Sequence, residues 1–401
     1  MNTLHDTRRE TGMSLIELMV GAAIGLIGIV IITHIYLTNE QHKRTTTAAG
    51  GAQTNGAIAL YLLEREIRQA GFGLNSSYAF TCNCDQITND GCSALQYHYD
   101  GKFTFPPNGS LTNARNSLSL YPFIITDFIG PGGAGPDTLS VFAGSDSERA
   151  LSTTLMETML TSGADIKPDG TAGFEKDDFI VLQQVKPGPA YPCALYKVTG
   201  VDTTSGILKH DFDALSPWNP PGGGPLPTFD RDVTRIFNLG PRPNWKTFGI
   251  KYNAPTYDIN YGKLQVTDQF KVLTVPGAQS EDVMDGIVDL QAQYGKDLNG
   301  NGVVESWEWT KVLSRNAPLN FDAIDITQVI AVRLAVLARD DHYHKPSTAG
   351  GPCEATTAAN RPTWAGGAFL TFDAPGALPS CYKYRVFETV IPLRNMIWRP
   401  E

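Results

Sequence analysis

The chain has 401 residues, a net charge of −9 and only 18% charged residues, with 39 glycines and 26 prolines. That balance excludes a basic nucleic-acid footprint at the level of the whole chain. The length is enough for a sizeable core in one or two lobes.

Residues 1–12 form a polar leader that contains Arg8, Arg9 and Glu10 and ends at Gly12. Residues 13–37 are apolar, and no Asp, Glu, Lys or Arg occurs between Glu17 and Glu40. Such a run suits one pass through a bilayer core, about 20 residues at 1.5 Å rise each. Glu17 lies inside it, where a carboxylate costs on the order of 2.5–3.5 kcal/mol on insertion scales, so a partner is expected. A secretory signal would end in a small-x-small cleavage site. Here the small residue, Gly12, precedes the apolar run instead.

This arrangement resembles a type IV prepilin signal. The resemblance implies that prepilin peptidase cuts between Gly12 and Met13 and that Met13 becomes an N-methylated terminus. The apolar helix then stays on the protein as membrane anchor and filament core. Glu17 becomes the fifth mature residue and the subunit-assembly residue, paired with the terminal amine of a neighbour, which neutralises both charges where water is scarce. Arg8 and Arg9 on one flank and Lys43 and Arg44 on the other leave the positive-inside rule undecided. The resemblance supplies the topology: inner membrane, globular part in the periplasm, later a cell-surface pilus. The alternative is an ordinary signal anchor with one interfacial Glu.

Residues 38–72 read as the amphipathic half of the same helix. Ile58, Leu62 and Gln69 follow a 3.6 period, with Leu60, Leu63 and Ile67 widening the apolar face. Unbroken from Met13 to Ala70, it would be about 87 Å long. Gly50, Gly51 and Gly56 weaken its middle by about 1 kcal/mol each, which predicts a bend or melted turn there. Gly71-Phe72-Gly73 is the expected stop.

Residues 73–401 read as β-rich. Candidate strands are 117–121, 137–144, 178–183, 193–200, 247–252 and 263–266, separated by loops such as 130–136 and 219–225. The fold class is therefore α+β, a long helix packed on an antiparallel sheet. Six cysteines are present and allow fifteen pairings. Cys353 with Cys381, bracketing a Gly/Pro-rich loop, is the favoured disulfide. Cys82 and Cys84 are too close to favour each other, so one takes Cys92 and the other Cys193. A metal cluster of Cys82, Cys84 and Cys92 is disfavoured because the two C-x-x-C knuckles of a zinc site are missing.

Residues 285–295 alternate apolar and polar and run into a loop numbered from Asp297. Side-chain oxygens fall at positions 1, 3 and 5 (Asp297, Asn299, Asn301), glycine at 6 (Gly302) and a carbonyl at 7 (Val303), with Glu305 at 9 and Glu308 at 12. That is the spacing of an EF-hand loop, and it predicts a Ca2+ site closed by Glu305 or Glu308. The flanking helices of an EF-hand are lacking. The competing reading is a bare Asn-Gly hairpin turn. If Glu305 closes the loop, Trp307-Glu308-Trp309 is left as strand.

Two Val/Ile-rich strands follow at 324–339 and 384–395. Leu63 to Phe72, the Asp285-to-Gly295 segment with its Asp/Asn/Gly loop, Val332-Arg333-Leu334-Ala335-Val336-Leu337-Ala338-Arg339 and the terminal Leu393-Arg394-Asn395 resemble, in that order, PilW-type minor pilins of the type IV pilus. The resemblance implies a non-enzymatic subunit of a priming or tip complex. Its partners would be other minor pilins and the major pilin, through their N-terminal helices, and a tip adhesin. Related alternatives are a J-type pseudopilin of type II secretion and an anchored calcium-binding domain outside any filament. No H-E-x-x-H, P-loop or G-x-S-x-G motif occurs. His342 and His344, which would share one face of a strand, read as part of a solvated turn.

Overall fold

The computed structural model describes residues 13–74, 122–126, 135–145, 152–161, 163–184, 193–211, 219, 229–253, 258–274, 278–311, 315–317, 320–321, 328–348, 350–369 and 379–397. The leader with Gly12, the candidate strand 117–121 and Cys82, Cys84 and Cys92 lie outside them. Of Cys193 only the backbone is described.

One α-helix runs without interruption from Leu15 to Arg68. No melted turn occurs at Gly50-Gly51, where an added Cβ would meet nothing within 4 Å. The helix stops at Arg68 with Gln69 as its cap, and Gly71 (φ +78°) and Gly73 (φ +82°) take the left-handed turn that follows.

The strands, in chain order, are β1 Phe123–Thr126, β2 Thr138–Ala143, β3 Ser152–Thr154, β4 Phe179–Gln184, β5 Cys193–Lys197, β6 Gly200–Asp202, β7 Ile207–Lys209, β8 Thr234–Gly240, β9 Asn244–Asn253 and β10 Asp258–Asp268. They continue as β11 Glu281–Asp285, β12 Ile287–Lys296, β13 Trp309–Thr310, β14 Arg315–Ala317, β15 Asn320–Phe321, β16 Val329–Arg339, β17 Thr363–Trp364, β18 Gly367–Ala368 and β19 Tyr384–Pro392. A four-stranded sheet has the order β13-β12-β16-β19, and a five-stranded sheet the order β1-β2-β9-β10-β11. All pairings are antiparallel. The fold is α+β, as expected.

The helix lies on the first of these sheets, chiefly over β16 and β19. Its buried stripe is Ala52, Gly56, Ala59, Leu63, Glu66 and Ile67. Ile58, expected inside, is 41% exposed. The reason is close approach: small residues at 52, 56 and 59 let the backbone settle on the strand, and the larger Ile58 is turned outward. At Gly56 a Cβ would sit 2.2 Å from the Phe387 ring of β19. Asn395, just past β19, donates to the carbonyls of Gln69 and Ala70. Helix and β19 therefore run in the same direction, and so does β12.

The opposite face of this sheet is also covered. Val332, Leu334, Val336 and Ala338 of β16 join the main core, while Ala335 and Leu337 pack with Trp364 and Phe369. Burial on both faces explains why β16 reads as a nearly continuous apolar run. The covering segment is tied by a disulfide between Cys353 and Cys381. Closing a loop of that length removes roughly 3–4 kcal/mol of unfolded-chain entropy.

Between β2 and β9 the chain makes a long excursion. Its ends meet in register, Ala143 opposite Asn244. Inside it lies a second four-stranded sheet, β3-β8-β4-β5. Phe179, Val181, Phe237 and Leu239 of that sheet face the main core. Ile180, Leu182 and Ile236 face a second core with Leu155, Ile166 and Phe229.

One polar clamp fixes the helix end. The buried Glu66 carboxylate accepts from Asn244 Nδ2 (2.9 Å) and Lys246 Nζ (3.0 Å) of β9 and from Arg65 (3.0 Å). Burial alone would raise its pKa, but these hydrogen bonds and the Lys246 charge outweigh burial and hold it below the usual glutamate value. A depressed folded pKa adds stability above the unfolded pKa and loses it as pH falls through the folded one. Glu66→Gln should thus destabilise the protein near neutral pH, and the deficit should shrink below about pH 4 in thermal melts across pH. At the other end of the stripe, Gly56→Ala should cost about 1–3 kcal/mol by overpacking against Phe387. Gly50→Ala should instead raise helix stability by up to about 1 kcal/mol. Denaturant titration of both variants checks the contrast.

Candidate functional site

Two regions carry the candidate functional residues: the exposed half of the long helix, and the loop after β12. No residue of the helix before Ala52 is buried. Its first half holds a stretch long and apolar enough to cross a membrane. Ser14 caps the helix. Its side-chain oxygen accepts from Glu17 N (3.2 Å), and Glu17 Oε2 accepts from Ser14 N (3.0 Å). Glu17 is therefore the third residue of a capping box at a helix N-terminus, where a negative charge is also favoured by the helix dipole. The signal for this, Ser14-x-x-Glu17, stands in the sequence.

The loop 297–308 leaves β12 at the end of the sheet that lies farther from the apolar half of the helix. It is knitted by its own side chains. Asp297 accepts from Asn301 N (3.0 Å) and Gly302 N (2.8 Å), and the Asn301 amide oxygen accepts from Val303 N (2.8 Å). Gly300 and Gly302 have φ of +73° and +78°, which lets the chain turn inside these bonds. Glu305 is brought to both asparagines, accepting from Asn299 Nδ2 (3.1 Å) and Asn301 Nδ2 (3.0 Å).

Glu308 is placed differently. It is buried, and its two oxygens accept the backbone N–H groups of Leu298 (3.0 Å) and Glu305 (2.8 Å). Burial, and more weakly the nearby Asp297, push its carboxyl up. The Glu305 and Leu298 N–H groups outweigh both and leave its pKa below the usual value. Trp309 then pairs with Gly295 as β13, and residues 306–308 are a turn, not strand.

Asp297, Asn299, Asn301, Glu305 and the Val303 carbonyl are hard oxygen donors of the kind calcium takes. In this conformation the asparagines turn Nδ2 toward Glu305 and keep Oδ1 on backbone N–H groups of the loop. Among the described residues, no three of His, Cys, Asp or Glu gather as a metal group. This includes the histidine cluster. His344 Nε2 instead contacts the buried Asp340 at 2.9 Å, and the His342 and His344 rings meet edge-on. Of the two carboxylates that end the loop, Glu308 carries the structural load. Glu308→Ala should cost about 2–4 kcal/mol, because two backbone donors lose their acceptor, whereas Glu305→Ala should cost under about 1 kcal/mol. Unfolding of the two variants in parallel measures the difference.

Searches among curated proteins and among solved structures found no match. A family model does match. Residues 265–395, from within β10 to just past β19, match the family described as PilW, Type IV Pilus-assembly protein W. The matched stretch holds the loop 297–308 and all four strands of the sheet that carries the helix, β12, β13, β16 and β19. Over that stretch the chain is thus similar to a family of type IV pilus-assembly proteins.

Proposed function

We propose that this protein is a minor pilin that enters a type IV pilus as part of the priming or tip complex. The observation that carries the reading is the division of one continuous helix. From Ala52 onward it is seated on a sheet similar to a pilus-assembly family, and from Leu15 to Leu37 it is bare and apolar. An apolar rod of that length has two places to go, a bilayer or a bundle of like rods. A minor pilin uses both in turn.

In this reading prepilin peptidase cuts after Gly12, and Met13 becomes the methylated terminus. Glu17 leaves its local cap to neutralise the terminal amine of a neighbouring subunit. The globular part stands on the periplasmic side until assembly carries it to the surface. Mass spectrometry of the protein purified from cells should give an N-terminus at N-methyl-Met13. Glu17→Val should stay in the membrane fraction while its incorporation into sheared pili falls at least about tenfold. A terminus at residue 1, or beyond residue 37, overturns the reading.

We also propose that the loop 297–308 takes a structural Ca2+ through Asp297, Asn299, Asn301, Val303 and Glu305, with affinity in the range of extracellular modules, roughly 10⁻⁴–10⁻³ M. Added calcium should raise the melting temperature of the wild type, and chelator should reverse it. Asp297→Ala should abolish that difference. Equal melting of wild type with calcium and with chelator defeats the proposal.

A further inference from the structure

Among the described residues three asparagines stand directly before a glycine: Asn55, Asn299 and Asn301. A glycine leaves its backbone nitrogen open to attack the preceding side-chain amide, because no Cβ stands in the way. Attack closes a succinimide ring and expels ammonia, and water then opens the ring to aspartate or isoaspartate. The nitrogen must be free to lose its proton, and the amide oxygen must be able to carry the charge that forms on it.

The three pairs differ in the nitrogen. Gly56 lies inside the helix, whose ladder engages its N–H, and the Asn55 amide donates to the Asp285 carbonyl at 3.1 Å. The Gly302 N–H donates to Asp297 Oδ2 at 2.8 Å. To react it must break a charge-assisted hydrogen bond and become negative beside a carboxylate. Gly300 has no such hold. Among the described residues no acceptor engages its N–H, it is exposed, and a Cβ there would meet nothing within 4 Å.

The amide oxygen is provided for. Asn299 Oδ1 accepts from Asn301 N (3.0 Å), a donor already placed to hold the oxyanion of the tetrahedral intermediate. Its Nδ2 is fixed on Glu305 (3.1 Å), which sets the orientation of the amide. Asn301 has the same arrangement, with Val303 N (2.8 Å) on Oδ1 and Glu305 (3.0 Å) on Nδ2. The glycine nitrogen alone therefore separates the two.

We propose that Asn299 is a self-modification site, deamidating through Gly300 in the folded protein while Asn301 and Asn55 are spared. The bond from Gly300 N to Asn299 Cγ forms and the bond from Cγ to Nδ2 breaks. The proton lost by Gly300 returns through water to the departing ammonia, and water hydrolyses the ring. A carboxylate is left at 299. It has no N–H to donate to Glu305, so that tie gives way to repulsion, and the loop gains a fourth carboxylate beside Asp297, Glu305 and Glu308. The reaction requires neither the filament nor calcium. Its consequence for a cation, a carboxylate in place of an amide at 299, rests on the calcium reading above.

The test follows full-length protein kept folded at mildly alkaline pH with chelator and digested with trypsin at intervals. Cleavage at Lys296 and Lys311 gives one peptide that holds both loop asparagines. Fragmentation then assigns the mass gain of about 1 Da to position 299 or 301. The expected result is a gain at 299, a gain at 301 at least about tenfold slower, and none at Asn55. In denaturant the rates at 299 and 301 should converge to within about twofold, because Asp297 no longer holds Gly302. Equal rates at 299 and 301 in the folded protein, or no gain at 299 above that at Asn55, overturn the proposal. So does a tenfold preference that survives in denaturant. Calcium is tested apart: Asn299→Asp should show a larger calcium-dependent rise in melting temperature than wild type, and an equal or smaller rise overturns that consequence alone.

Discussion

The constraint on which the structure rests is the close seating of the second half of the helix against β19. Gly56 admits the Phe387 ring to a distance that no side chain would allow, and Ala52 and Ala59 continue the flat track. Everything else takes its bearing from that contact. Glu66 is carried to Lys246 and Asn244 of β9, which ties the spine to the five-stranded sheet. Asn395 is carried to the last carbonyls of the helix. The body is thereby locked in one rotation about the helix, while the apolar half projects free of it.

Some of this was legible in the chain and some was not. The unbroken apolar run, the polar continuation and the Gly71-Phe72-Gly73 stop announce the helix, because its period and its breakers are local. Strands such as β12 and β16 are legible for the same reason, as is the disulfide that brackets a loop. The rotation of the helix was not legible. Composition favours Ile58 as a buried residue, but packing chose the small residues beside it, a decision made by Phe387 more than three hundred residues later. Nor does the sequence near Glu66 show which of the neighbouring acids is buried against a lysine. The predicted weak point at Gly50-Gly51 reflects a real propensity cost, yet local cost alone did not interrupt the helix.

The loop shows the same division. Alternating Asp, Asn and Gly at fixed offsets is visible in the sequence, and the structure turns it into a self-bonded knot. Whether Glu305 or Glu308 closes it depends on which carboxylate faces inward after the chain reverses. Glu308 is drawn beneath the loop by two backbone N–H groups that need an acceptor, which leaves Glu305 with the asparagines. A residue that spacing marks as a metal ligand is employed as a fastener.

The pairing of Ala143 with Asn244 has a consequence of its own. The two ends of the excursion are clasped side by side by neighbouring strands, so whatever hangs between them is connected to the body like a pendant on a closed ring. Its size can drift, and its outer core can be rebuilt, while the strands that hold the ring stay in step.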